Sequence, residues 1–123
     1  MPTAHEVRKE LAAPARRLRE DIPEVIAAYA DLQNTVMADG ALSAKVKELI
    51  ALAIGVTREC DGCIAAHGLG AARHDATEAE VAEAMGVAIL MNGGPGTVWG
   101  ARALAAYREF AEANRNVGAA QAA

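Results

Sequence analysis

The sequence predicts an all-α fold, a single helical domain of about six helices, and three observations predict it. Apolar residues recur every three and four positions, which is the helical period, and no stretch alternates as a strand would. Alanine, the best helix former, occurs 31 times in 123 residues. Hydrophobic residues reach 53% but aromatic ones only 3%, so the helices should be thin and closely packed. At 12.7 kDa the chain is long enough to bury a core without a metal or disulfide staple.

In chain order, a first helix is expected from Thr3 to Glu20, with Val7, Leu11 and Leu18 inward and Pro14 as a kink or break. Asp21-Ile22-Pro23 is a start signal, a capping acid followed by proline at the first helical turn. The second helix should run from about Pro23 to Ala38 and bury Val25, Ile26, Tyr29, Leu32 and Val36, with Asp39-Gly40 ending it. Ser43 is the expected N-cap of a third helix, Ala44 to Val56. This segment is apolar all round after Glu48, the pattern of a helix buried in a core or between subunits. A turn at Thr57 to Glu59 leads to a fourth helix that starts at Cys60 or Asp61 and ends near Arg73. Thr77 and Glu80 form a capping box for a fifth helix, with Val81, Met85, Ala88 and Ile89 on one stripe. Asn92-Gly93-Gly94-Pro95-Gly96 should break the chain before a last helix, Thr97 to Ala113, carrying Trp99, Leu104, Tyr107 and Phe110. The domain core is expected over 23–113, with a flexible tail over 114–123.

Composition excludes several functions. A net charge of -4 argues against a nucleic-acid or anionic-membrane partner held by bulk charge. So few aromatic rings cannot build a base-stacking platform. The longest apolar run, Leu49 to Val56, is far too short to span a bilayer. The first residues lack the basic and apolar regions of a signal peptide, so a cytoplasmic location is expected. In that compartment two cysteines point to catalysis or metal binding rather than to a structural bridge.

The chemistry-bearing stretch is Cys60-Asp61-Gly62-Cys63-Ile64-Ala65-Ala66-His67. On a helix, the spacings of three and four put Cys60, Cys63 and His67 on one face. Cys60 would sit at the helix N-terminus, where unpaired amides and the dipole favour a thiolate. His67, one turn on, could accept a thiol proton, and a Cys-x-x-Cys pair closes easily to a disulfide. Three other readings compete. The cysteines and histidine could be plain core residues. A zinc site could use Cys60, Cys63, His67 and a fourth ligand such as His74 or Glu48. A thioredoxin-like site would need a βαβ pattern, and none is visible. Taken alone, Glu48, with Lys45 and Lys47 close by, reads as the edge of a solvated face. Glu59 and Asp61 are expected to point to solvent, His5 and His74 to lie on the surface, and Trp99 to serve packing.

Glu48, eleven intervening residues, then Cys60-x-x-Cys63-x-x-x-His67 resembles the alkylhydroperoxidase D-like branch of the carboxymuconolactone decarboxylase family. The resemblance extends through Lys47 to Ala53, resumes at Met91 to Gly96, and covers about half the chain, roughly Ala44 to Ala106. It implies an all-α homo-oligomer, usually a trimer or hexamer, that reduces organic hydroperoxides or hydrogen peroxide with its dithiol. Carried over, Cys63 is the peroxidatic cysteine, Cys60 the resolving one, and Glu48 with His67 the proton relay. The opposite order, with Cys60 attacking first, suits the helix-dipole argument. The resemblance implies an external dithiol reductant, such as a lipoyl-bearing protein, and no metal, flavin or haem cofactor. One position departs from the pattern: Gly62 stands where the best-known members carry a histidine. That departure keeps a second reading alive, a disulfide reductase or redox sensor with little peroxide turnover. A third is a ligand-binding protein on the decarboxylase-like scaffold. Lactone decarboxylation itself is disfavoured, because it would leave the dithiol without a role.

Overall fold

Most helices begin where a short side chain can satisfy their first free amides. The computed structural model describes residues 2–122, with side chains as far as Gly118. Those residues form α1 (Ala4–Asp21), α2 (Pro23–Met37), α3 (Ala44–Thr57), α4 (Asp61–Arg73), α5 (Glu78–Asn92) and α6 (Gly94–Ala122). Thr3 and Glu6 close a capping box on α1, and Thr77 and Glu80 close the expected one on α5. The Ser43 hydroxyl accepts from the Val46 amide, capping α3 as expected, and Pro23 opens α2. Glu80 also pairs with Lys45 at 2.9 Å, tying the start of α5 to the start of α3. The amide of Thr77, then Lys45, holds the Glu80 carboxyl below its ordinary range.

The break before α6 is shorter than its composition suggests. Only Gly93 leaves the helical conformation, at φ 68, which suits glycine alone. Pro95 then falls in the first turn of α6, where a missing amide costs nothing. Gly96 permits the tight α5–α6 corner, since a Cβ there would lie 2.9 Å from the Ile89 Cα. The expected tail is helical as far as Ala122, and Ala123 lies outside the described residues.

The core is built by α3, α4, α5 and α6, with the first turn of α1 laid across α4 and α6. Leu52, Val56 and Val81 are its most deeply buried large side chains, and alanines fill much of the remainder. The Tyr107 hydroxyl donates to the Ala76 carbonyl at 2.5 Å, and burial pushes its phenol upward from the ordinary value. Glu109 of α6 caps α1 from outside, accepting from the amides of Ala4 and His5 and from the His5 ring at 2.8, 3.3 and 2.9 Å. His5 thus lies on the surface as expected but also packs at a tilt against Phe110, ring centres 4.6 Å apart.

Three expectations about the first helices fail. Leu11 and Leu18 of α1 are exposed, because only the N-terminal part of α1 reaches the core. The helix runs through Pro14 to Asp21. In α2 nothing is buried: Val25, Tyr29, Leu32 and Val36 form an apolar stripe 60%, 64%, 59% and 52% exposed, and Ile26 is only half-buried. The period is helical as expected, but among the described residues little covers the stripe, since α2 has few contacts with α1 and α3. Further along, Ile89 also lies outside the core. Ile50 and Ile54 of α3 are exposed as well, so its all-round apolar surface is only partly covered. The chain exposes 7851 Å2, well above the roughly 6,200 Å2 of a compact monomer of this mass.

Candidate functional site

Residue spacing on α3 places a carboxylate inside the protein. Glu48, Leu52 and Val56 recur at i, i+4 and i+8, so the face that packs Leu52 and Val56 also carries Glu48 inward. Glu48 is 8% exposed and is the one buried charged side chain among the described residues. Its lysine neighbours do not neutralise it. Lys45 is held by Glu80, and the Lys47 ammonium donates to the Val36 and Ala38 carbonyls at 2.7 and 2.6 Å, closing the end of α2. The partner of Glu48 is His67 of α4, with Nδ1 2.8 Å from its Oε2. A carboxylate only accepts, so opposite one the ring donates from Nδ1, and a neutral ring in that tautomer offers Nε2 as an acceptor.

One turn before His67 lies Cys63, joined to Cys60 as a disulfide with Cα atoms 5.2 Å apart. Cys60 is the N-cap of α4, and its sulfur accepts from the Cys63 amide at 3.2 Å. The sulfur of Cys60 therefore stands where free amides and the helix dipole stabilise negative charge. The preceding turn uses Glu59 at φ 51 and returns the Cys60 amide to the Gly55 carbonyl at 3.1 Å, seating the start of α4 on the end of α3. Gly55 permits that seat, since a Cβ there would lie 3.3 Å from the Cys63 Cβ. Glu59 and Asp61 are exposed, as expected.

The structure thus pairs Glu48 with His67 and Cys60 with Cys63, and places His67 one helical turn beyond Cys63 on α4. His74 is not among them; it caps the far end of α4. Among the described residues no group of three or more His, Cys, Asp or Glu is arranged to hold a metal ion. Trp99 packs at the edge of the core with the Arg102 guanidinium 4.5 Å over its ring.

Several contributors escaped the sequence reading. Leu11 of α1 covers Gly62, where a Cβ would lie 3.2 Å from the Leu11 Cδ1. The position that differs from the family pattern is therefore roofed by an apolar side chain of α1. Tyr29, Leu32, Gln33, Val36 and Met37 of α2 form, with Ala51 and His67, a pocket of about 240 Å3. Among the described residues His67 supplies its only titratable nitrogen, and no Asp, Glu, Lys or Arg lines it. The available signal was the apolar stripe of α2, which reads equally as core. No helix among the described residues is long and apolar enough to cross a membrane.

The chain is similar to several known proteins. Over 85 residues the chain is 40% identical to an uncharacterised protein of Cupriavidus necator, covering 69% of this chain and 75% of that one. Over 83 residues it is 39% identical to uncharacterised protein 4 of the cox locus of Paracoccus denitrificans, covering 68% and 75%. The fold is similar to that of a carboxymuconolactone decarboxylase family protein from Legionella pneumophila, solved in its apo form. The TM-score is 0.84 at 35% identity, covering 88% of this chain and 96% of that one. Residues 23–106, from the start of α2 into α6, match the sequence pattern of that same family, so the chain belongs to the carboxymuconolactone decarboxylase family.

Proposed function

We propose that this protein is a thiol-dependent peroxidase of the alkylhydroperoxidase type, cycling Cys60 and Cys63 between dithiol and disulfide. The observation that carries the reading is the buried Glu48–His67 pair one turn from the Cys60–Cys63 disulfide. In the reduced protein, His67 Nε2 takes the Cys63 thiol proton while Glu48 holds the ring from Nδ1 and stabilises the imidazolium that forms. The thiolate attacks the O–O bond of a hydroperoxide, ROOH. Cys63 becomes a sulfenic acid, and the alkoxide leaves as the alcohol with the proton from His67. The Cys60 thiol condenses with the sulfenic acid, releasing water and forming the disulfide. An external dithiol returns two electrons and two protons. Its attack on the Cys63 sulfur expels Cys60 as a thiolate at the helix N-terminus, where the leaving charge is stabilised.

The largely apolar pocket beside His67 supports an organic hydroperoxide as substrate. The exposed stripe of α2, the outward Ile50 and Ile54, and the excess surface support a homo-oligomer. The test is stopped-flow peroxide consumption with lipoamide and other dithiols, on the wild type, Cys63→Ser and Cys60→Ser. Turnover lost in both variants supports the cycle. A burst of one equivalent retained only in Cys60→Ser identifies Cys63 as first attacker, and the reverse identifies Cys60, whose N-cap position favours a thiolate. Rates unchanged in both variants rule out the peroxidase. Reversible oxidation without peroxide turnover assigns the pair to a disulfide reductase or redox sensor.

A further inference from the structure

α4 is an unusual place for three glycines, because glycine in a helix interior is less favourable than alanine. Gly62 and Gly68 are explained by neighbours: Leu11 covers the first, and α6 lies against the second, where a Cβ would meet the Tyr107 amide nitrogen at 3.2 Å. Gly70 differs. It lies one turn beyond His67 on the same face of α4, and the atoms nearest a Cβ built there are the Cδ, Oε1 and Oε2 of Glu48, all in overlap with it. The vacated space is therefore filled by the carboxylate itself.

We propose that Gly70 is a positioning residue for the Glu48–His67 pair: its missing side chain is the slot that lets the buried carboxylate reach His67 Nδ1. The proposal rests on the relay reading of that pair. Alanine is the better helix former, and at Gly70 it would have to displace a carboxylate group. Glu48 is long enough to swing aside, but its carboxylate would then leave His67. The consequence of filling the slot is loss of the hydrogen bond rather than loss of the fold.

Imidazole 15N spectra of the disulfide form read this directly, because they separate a ring protonated at Nδ1 from one protonated at Nε2. In the wild type His67 should be the Nδ1-protonated form, held by Glu48. Gly70→Ala should move the His67 signals to the positions seen in Glu48→Ala. Gly86→Ala, in α5 where a Cβ meets nothing within 4 Å, should leave them unmoved. His67 signals in Gly70→Ala that match the wild type would overturn the proposal. Thermal unfolding gives a second measurement should Gly70→Ala fold poorly. In the Glu48→Ala background the slot is empty, so the same substitution should raise the midpoint, whereas with Glu48 present it should not. An equal change in both backgrounds would also overturn the proposal. Peroxide turnover of Gly70→Ala should fall with that of Glu48→Ala, and the double variant should lose no more than either. A wild type without turnover would remove the peroxidase reading and leave the spectra to decide the role of Gly70.

Discussion

Two apolar helices of similar length meet opposite fates. α3 buries Leu52 and Val56 completely or nearly so, and with them a carboxylate; α2 carries an equally regular apolar stripe and buries nothing. Periodicity specifies which residues share a face but not whether anything covers that face. In α3 the covered face also carries the candidate relay, since His67 and the gap at Gly70 receive the buried Glu48 carboxylate. In α2 the uncovered stripe borders the pocket of His67, so the least packed helix lies beside the candidate site.

Several measurements sharpen or break this contrast, and urea unfolding reads the largest. Leu52→Ala empties a fully buried position and should cost about 3 kcal/mol. Gly62→His sets a side chain beneath Leu11 and should cost about 1 kcal/mol through crowding. Adding Leu11→Ala should relieve most of that cost; no relief would mean that Leu11 does not roof the site. Thr77→Ala removes the capping box of α5 and should cost about 1 kcal/mol.

A smaller effect depends on pH. Burial raises the Glu109 carboxyl, but the His5 ring and the amides of Ala4 and His5 outweigh it and hold the group below its ordinary range. Its contribution is therefore complete above the unfolded glutamate value, about 4.3, and is lost as pH falls through the lowered folded value. Glu109→Gln should flatten that part of the acid limb in a stability-against-pH series, and an unchanged limb would remove α1 docking as its cause. The smallest effect should come from Leu32→Ala on α2, within about 0.5 kcal/mol for an isolated chain. A loss as large as that of Leu52→Ala would mean that α2 is covered in solution by a second copy, which sedimentation at several concentrations would then show.

Much of the site was legible in residue order. Cys60, Cys63 and His67 sit at helical spacings on one α4 face, and the capping preferences of Ser43 and of Thr77 with Glu80 marked two helix starts. Such signals are local: they depend on residues within one turn of each other, and the backbone geometry of a helix supplies the rest. The inward turn of Glu48 was not legible from its own neighbourhood, where Lys45 and Lys47 suggest a solvated edge. Those lysines are held by Glu80 and by the end of α2, residues far away in the chain.

The sequence by itself therefore determined the helices, their caps and the dithiol with its histidine, because each follows from spacing within one element. Only the tertiary structure decided which apolar faces are covered, that Leu11 roofs Gly62, and that Gly70 opens the slot for Glu48. Burial and close approach depend on which elements meet, and a single helix carries no record of its neighbour.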